Sequence, residues 1–183
     1  MAVKQVRLCG LGGQGIILAG TILGHAGMAD GKWAAGTASY GGEARGTACR
    51  SEVVISDHQL IFPQVLKVDI LVSMSQEAHD KFVGGVEKET GIVIYDDKVV
   101  TREISDLRQV EIPATSTAVK ELGNEQVANM VLLSAMVEIT GIVSKEALIS
   151  AIRENIPERF KDINLRAVER GFSLGKEKSS KIG

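Results

Sequence analysis

Residues 6–20 read Val-Arg-Leu-Cys-Gly-Leu-Gly-Gly-Gln-Gly-Ile-Ile-Leu-Ala-Gly, and the architecture predicted for the whole chain starts from them. They predict a short apolar strand, a tight glycine turn and the first turn of a helix. Gly10, Gly12 and Gly15 have the spacing G-x-G-x-x-G directly after the strand. Glycine lets a phosphate approach the main chain, and a helix N-terminus presents unpaired N–H groups to an anion. The stretch therefore indicates the first strand–helix unit of a doubly wound sheet with an anion contact at its turn.

The same glycines have a second interpretation, because any tightly packed strand–helix corner needs small residues. A nicotinamide site would add a requirement, an acidic residue about twenty residues further on at the end of the second strand. Asp30 precedes the predicted second strand, and Glu43 lies in a loop beyond it. The sequence therefore disfavours a hydride-transfer dehydrogenase and leaves both an anion contact and simple close packing open.

The composition is that of one globular domain, which we place at residues 1–175, followed by a flexible tail at 176–183. The chain has 183 residues, of which 44% are hydrophobic and 24% are charged, so wholesale disorder is excluded. Its formal net charge is −2, which argues against a nucleic-acid partner. Because no apolar run reaches the length of a membrane span and no secretory signal is evident, we expect a cytoplasmic protein without a membrane contact.

The residues that usually carry catalysis or metal binding are not arranged in known patterns. The two cysteines, Cys9 and Cys49, form no C-x-x-C, so this chain alone cannot hold a four-thiolate iron–sulfur cluster or a structural zinc. The three histidines lack metal-ligand spacing, and no nucleophile–base pattern, thiamine diphosphate motif or P-loop lysine is present. We therefore expect no catalytic residue and no metal ligand here, and infer one component of a larger enzyme.

Strands and helices alternate along the chain. Strands are predicted at 3–9, 32–38, 49–56, 68–72, 91–95 and 110–112, and helices at 13–27, 74–82, 114–122, 124–140, 145–155 and 158–174. The half-polar pattern of 49–56 suits an edge or antiparallel strand, and Ser73 with Gln76 resembles a capping box. The alternation predicts an α/β fold, a three-layer Rossmann-like sandwich with a mainly parallel sheet and a helical C-terminal third.

Four loops follow predicted strands and should gather along one edge of the sheet, at 10–15, 40–47, 73–76 and 113–117. The second of these concentrates an aromatic residue, an acid and a base, Tyr40, Glu43 and Arg45. Arg45 near a helix N-terminus favours a phosphate-bearing ligand or an acidic partner surface. Alternatively, Glu43 and Arg45 pair with each other on the surface, which would contribute about 0–1 kcal/mol.

Three motifs in order, at residues 10–16, 39–46 and 50–57, resemble the gamma subunit of 2-oxoacid:ferredoxin oxidoreductases, most closely the 2-oxoglutarate type. The run at 68–72 and the late Asn129-Met130 also match, and the resemblance covers roughly residues 3–175. The sequence departs from the family pattern at two positions. Gly42 stands where the family often has proline, and Thr47 stands where it has a second glycine, which predicts a looser loop.

The resemblance implies a non-catalytic subunit of an enzyme that decarboxylates a 2-oxoacid oxidatively, joins the acyl group to coenzyme A and passes two electrons to ferredoxin. For 2-oxoglutarate the product is succinyl-CoA. Thiamine diphosphate and Mg would lie on the alpha and beta subunits, and iron–sulfur clusters on beta or a ferredoxin-like subunit. This chain would pack on those partners, be inactive alone and contact coenzyme A. The candidate cofactor-binding residues are Gly10, Gly12, Gly13, Gln14, Gly15, Tyr40, Glu43, Arg45 and Gly46.

Two alternatives remain open at this point. One is a structural interaction module of a pyruvate or branched-chain oxoacid oxidoreductase, in which the glycines serve only close packing. The other is a stand-alone dinucleotide-binding dehydrogenase, which would bind NADH as the isolated chain.

Overall fold

The computed structural model describes residues 3–39, 47–62, 64–100 and 107–180, and these form an α/β structure. The strands are β1 (Lys4–Leu11), β2 (Trp33–Ser39), β3 (Ala48–Ser56), β4 (Ile70–Ser73), β5 (Ile92–Asp96) and β6 (Arg108–Ile112). The helices are α1 (Ile16–Ala29), α2 (Gln76–Phe82), α3 (Ala114–Lys120), α4 (Ala128–Thr140), α5 (Lys145–Asn155) and α6 (Glu158–Ser179). Short 3-10 turns at Val83–Gly85 and Glu125–Val127 follow α2 and precede α4.

The six strands form one sheet in the order β2-β3-β1-β4-β5-β6. β1, β4, β5 and β6 are parallel, whereas β3 runs antiparallel between β1 and β2. The prediction of a mainly parallel sheet is therefore confirmed, and so is the antiparallel position of 49–56. At this end of the sheet the edge strand is β2, and β3 lies one strand inward. The half-polar pattern of β3 therefore reflects a sheet face that is only partly covered.

Helices cover both faces of the sheet, which confirms the three-layer arrangement. α1 and α4 pack on one face over the larger apolar core, and α5 and α6 pack in turn on α1 and α4. α2 covers the opposite face over a smaller core centred on β1, β4 and β5. Among the helices that the structure describes, none combines the length and the apolar character needed to cross a membrane.

Most predicted element boundaries differ from the structure by a few residues, and those around α1, β4 and α2 have a clear local reason. α1 begins at Ile16 rather than at residue 13, because Gly15 has φ +72° and cannot continue a helix backward. Ser75, not Ser73, caps α2 by accepting the Ala78 N–H at 3.3 Å. Ser73 belongs to β4 and is buried, because the strand continues one residue further than the apolar pattern indicated.

The last helix is longer than predicted. α6 continues to Ser179, five residues beyond the predicted end at residue 174. Gly171 and Gly175 are buried against α4, and an added Cβ at Gly175 would lie 2.7 Å from Glu138 Cβ and 2.8 Å from the Ala135 carbonyl oxygen. The glycines therefore let two helix backbones approach closely, and this packing outweighs their low intrinsic helix propensity.

Candidate functional site

The carboxyl ends of five strands meet at one edge of the sheet. β1, β4, β5 and β6 are parallel, and β2 points the same way because it is antiparallel to β3, which is antiparallel to β1. The Gly12 N–H donates to the Thr47 carbonyl oxygen at 3.1 Å, which joins the glycine turn to the beginning of β3. The predicted gathering of the loops at 10–15, 73–76 and 113–117 is thus confirmed.

Gln14 holds the glycine turn in place through both ends of its side-chain amide. Its Oε1 accepts the Leu11 N–H at 2.7 Å, and its Nε2 donates to the Met74 carbonyl oxygen at 3.1 Å. These bonds tie the end of β1 to the loop after β4. The amide of Gln14 therefore has a structural role in the turn. The Gln14 side chain also lines the wall of the adjoining cleft, where a ligand could contact it.

Two glycines of the G-x-G-x-x-G motif serve close packing. An added Cβ at Gly10 would lie 2.6 Å from Gln14 Oε1 and 2.8 Å from Ile16 Cδ1. An added Cβ at Gly15 would overlap the side-chain amide of Asn129, which donates from Nδ2 to the Gly15 carbonyl oxygen at 3.1 Å. The packing interpretation of the glycines is thus correct for these two positions, and α4 supplies the partner at Gly15.

Gly13 is different, because it is exposed and open. Its φ is +102°, and a Cβ added there would meet no heavy atom of the described residues within 4 Å. The first-turn N–H groups of α1 follow directly, and no side chain in the described part of the chain caps them. Such N–H groups have no intrahelical partner and carry partial positive charge. This part of the turn is therefore the part that can contact an anion.

A cleft of about 200 Å³ adjoins Gly13 at the carboxyl edge. It is lined by Gly13, Gln14, Met74, Thr115, Glu125, Gln126 and Ala128. The exposed Glu125 carboxylate lies on the side formed by the turn before α4, so an anionic group is favoured on the Gly13 side. Because ligand sites for small molecules are ≈ 300–1,000 Å³, this cleft can hold one part of a large ligand rather than all of it.

Asp96 fixes the far wall of the cleft. This fully buried carboxylate ends β5, and its Oδ2 accepts the Thr115 N–H at 3.1 Å and a hydrogen bond from the Thr115 hydroxyl. Its Oδ1 accepts the Lys98 N–H at 3.1 Å. Burial, and then the neighbouring Asp96 charge, raise the pKa of the next carboxyl group, Asp97. These bonds position the start of α3 beside the loop after β1.

The structure describes five of the nine predicted site residues. Gly10, Gly12, Gly13, Gln14 and Gly15 lie together in the turn after β1. Tyr40, Glu43, Arg45 and Gly46 lie outside the described residues, although both ends of their loop, Ser39 and Thr47, are at the same carboxyl edge.

Sequence reasoning missed several cleft residues. Met74 follows β4, and Thr115 lies in the first turn of α3. Glu125 and Gln126 lie in the 3-10 turn before α4, so these cleft residues are distant from one another in sequence. Asn129 carried a usable signal, because it is the one amide in the apolar run of α4, and a buried amide in such a run requires a specific partner.

The cysteines and one histidine are buried away from the cleft. Cys9 Sγ lies 3.4 Å from Ser73 Oγ, which lies 3.3 Å from His79 Nδ1, on the α2 side of the sheet. Burial raises the pKa of Cys9 to about 12 and lowers the pKa of His79. Cys49 faces the opposite side, and both thiols are free. Within the described residues no group of three or more Cys, His, Asp or Glu side chains could hold a metal ion.

Comparison with known proteins identifies the family. The family model described as "Pyruvate ferredoxin/flavodoxin oxidoreductase" matches residues 5–174. The chain is 46% identical to the 2-oxoglutarate synthase subunit KorC of Methanocaldococcus jannaschii over 178 residues, which cover 95% of each chain. It is 32% identical to the pyruvate synthase subunit PorC of Methanothermobacter marburgensis, over 89% of this chain and 92% of that one.

A solved structure agrees with these relatives. The gamma subunit of the keto/oxoacid ferredoxin oxidoreductase from Geobacter sulfurreducens superimposes with a TM-score of 0.87 at 36% identity, over 97% of this chain and 99% of that one. The chain therefore belongs to the pyruvate ferredoxin/flavodoxin oxidoreductase family and is one subunit of an oxoacid oxidoreductase complex.

Proposed function

We propose that this chain is the gamma subunit of a 2-oxoglutarate:ferredoxin oxidoreductase and that its carboxyl-edge cleft contacts coenzyme A. The complex would convert 2-oxoglutarate, coenzyme A and oxidised ferredoxin into succinyl-CoA, carbon dioxide and reduced ferredoxin, with two electrons transferred. Thiamine diphosphate, Mg and iron–sulfur clusters would be held by partner subunits. The observation that carries the substrate assignment is the 46% identity to KorC over nearly the whole of both chains, against 32% to PorC.

The contact with coenzyme A is supported by the local chemistry of the glycine turn. Coenzyme A carries phosphates, and the uncapped N-terminus of α1 beside Gly13 offers backbone N–H groups and partial positive charge. The cleft volume fits one segment of the cofactor, so the remainder would lie against partner subunits. In this proposal Gly10, Gln14 and Gly15 maintain the shape of the turn, and Gly13 is the residue closest to the ligand.

The assembled complex tests the coenzyme A contact through Gly13→Ala. The added methyl group would enter open space at the cleft, so we expect the KM for coenzyme A to rise several-fold while the KM for 2-oxoglutarate stays constant. Gly141→Ala is the matched control, because Gly141 also has positive φ and open surroundings but ends α4, about 20 Å along the helix from the cleft. Equal KM values for coenzyme A in both variants would refute the contact.

Arg45 provides a second test in the same complex. If its guanidinium meets a phosphate of coenzyme A, Arg45→Ala should raise the KM for coenzyme A more than the KM for 2-oxoglutarate. Arg45→Lys should recover part of the effect, because it retains the charge but not the fork of donors. Unchanged kinetic constants in Arg45→Ala would exclude the phosphate role of this residue.

A purely structural role of the turn is the second candidate, favoured by the packing of Gly10 on Gln14 and of Gly15 on Asn129. It predicts that substitutions throughout the turn reduce assembly or stability without a selective effect on coenzyme A. The substrate assignment is tested separately by comparing 2-oxoglutarate, pyruvate and 2-oxoisovalerate as substrates of the purified complex. Faster turnover of either alternative substrate would refute the 2-oxoglutarate assignment.

A further inference from the structure

At the β2 edge of the sheet, one face is not covered by the helices that the structure describes. Register places Trp33, Thr37 and Ser39 of β2 on the same face as Arg50 of β3, the face on which α2 lies. α2 packs on β1, β3 and β4, and Trp33, Thr37 and Ser39 are exposed. We call the surface formed by these four residues and Lys81 the open face.

Arg50 on this face has one guanidinium nitrogen that makes no hydrogen bond within the described residues. Its Nε is buried without a hydrogen-bond partner among the described residues, and its nearest carboxylate oxygen, Glu52 Oε1, lies 3.7 Å away. The Arg50 guanidinium group lies over the Phe82 ring, with Arg50 Cζ 5.3 Å from the ring centroid, and 37% of the Arg50 side chain is exposed. Arginine carries five N–H donors and stays charged, so this side chain has donors to offer a further acceptor.

The local carboxylate is already committed elsewhere. Glu52 Oε1 accepts from Arg7 Nε at 2.7 Å and lies 2.5 Å from Arg7 Nη2. Glu52 Oε2 accepts from the Thr37 hydroxyl at 3.4 Å. Glu52 therefore hydrogen-bonds Arg7, whose side chain is only 13% exposed, whereas its ion pair with Arg50 is longer, at 3.7 Å.

Positive charge consequently accumulates around one aromatic ring. Arg7 lies 5.6 Å from the Phe82 centroid, Lys81 Nζ lies 5.6 Å from it, and Arg50 lies 5.3 Å from it. Within the described part of the chain, the Glu52 carboxylate pairs with Arg7 and Arg50, and no ion pair is formed by Lys81. The outward-facing part of this cluster, Arg50 and Lys81, is complementary to an anionic group.

We propose that the open face docks the thiamine diphosphate-bearing subunits of the complex and that Arg50 and Lys81 bind a carboxylate side chain there. The inference rests on the proposed assembly, because it requires a partner chain. A carboxylate accepts a bidentate pair of hydrogen bonds from a guanidinium group, which is among the strongest polar contacts in proteins. Exposed tryptophan and arginine are the residues most enriched at the centres of protein interfaces, and Trp33 and Arg50 lie on the same face of neighbouring strands.

A protein carboxylate fits this surface better than a small anion does. Arg50 lies on the face of the sheet and does not line the cleft beside Gly13. Small-molecule sites are concave and enclose most of their ligand, whereas subunit interfaces are broad and contain a few strong polar anchors. The open face would thus contribute to assembly and the carboxyl-edge cleft to ligand contact, so one chain would divide the two roles between two surfaces.

The test measures binding of this chain to the purified thiamine diphosphate-bearing subunits. Arg50→Glu should raise the dissociation constant at least tenfold, because it replaces attraction by repulsion at a half-buried position. Arg50→Gln keeps the aliphatic stem and should give a smaller increase in the same direction. Arg166→Glu is the control, because Arg166 is exposed on α6 and the same charge reversal there should leave the dissociation constant unchanged.

Further measurements distinguish the outcomes. Circular dichroism and urea unfolding of each variant exclude loss of binding through unfolding. If Arg50→Glu and Arg50→Gln bind the partner subunits as tightly as the wild type does, the docking proposal is overturned. It is also overturned if both variants assemble normally but have a raised KM for coenzyme A, since Arg50 would then serve the ligand. Failure of the wild-type complex to use 2-oxoglutarate would refute the proposed substrate alone, because the dissociation constants are measured without substrate.

Discussion

Gly15→Ala should destabilise the chain by two separable effects. The first is backbone strain, because Gly15 has φ +72° and a residue with a Cβ costs about 1–2 kcal/mol in this conformation. The second is steric, because the new methyl group would overlap the side-chain amide of Asn129 and break its hydrogen bond to the Gly15 carbonyl oxygen, a loss of about 1–2 kcal/mol. Together they predict a loss of roughly 2–4 kcal/mol in the free energy of unfolding.

Gly13→Ala measures the backbone strain separately from the steric overlap. Gly13 has φ +102°, but an added Cβ would meet no atom of the described residues within 4 Å, so this variant should lose only about 1–2 kcal/mol. Urea unfolding of the purified chain, followed by circular dichroism, measures both variants. Thermal unfolding provides a second reading, with Tm expected to fall by about 5–15 °C for Gly15→Ala in a chain of this size.

A double-mutant cycle with Asn129→Ala tests the steric part directly. Once the Asn129 amide is removed, the overlap is relieved, so Gly15→Ala should cost no more in the Asn129→Ala background than Gly13→Ala costs in the wild type. The coupling energy between the two positions should therefore be about 1–2 kcal/mol. If Gly15→Ala is equally destabilising with and without Asn129, the contact between α1 and α4 does not constrain the turn as described.

The remaining predictions concern buried groups and helix packing. Burial lowers the pKa of His79 below its ordinary 6.5, so the native state resists protonation and the stability should decline as the pH falls below about 6.5. The urea midpoints at pH 7 and pH 5 should therefore differ less in His79→Gln than in the wild type. The thiols of Cys9 and Cys49 are buried with raised pKa values, so a thiol reagent at pH 8 should label them only after urea unfolds the chain, and rapid labelling of the native protein would contradict this burial. Gly171→Ala would press a methyl group onto the α4 backbone and should lower the free energy of unfolding in urea by about 3 kcal/mol. Gly84→Ala is the control, because its surroundings among the described residues are open, and it should lower this free energy by less than about 1 kcal/mol. Equal losses would refute the close helix contact.

Much of the architecture could be predicted because the relevant signals are local. The apolar runs at 68–72 and 91–95 predict buried parallel strands, and the half-polar run at 49–56 predicts the antiparallel one. The errors arose where a local signal competed with packing. The glycines near the end of the chain reduce helix propensity, yet α6 continues through them because α4 accepts the close approach.

The sequence by itself determined the order of the strands and helices, the glycine turn after β1 and the likeness to an oxidoreductase gamma subunit, since each is encoded in short stretches of neighbouring residues. Only the tertiary structure decided which glycine faces open space, Gly13, and which packs on a partner, Gly15 on Asn129. It also decided that Glu52 hydrogen-bonds Arg7 and forms only a longer ion pair with Arg50, whose Nε has no hydrogen-bond partner among the described residues. The physical reason is that these relations join residues distant in the chain, and strand register and helix packing, not sequence spacing, set the distances between their atoms.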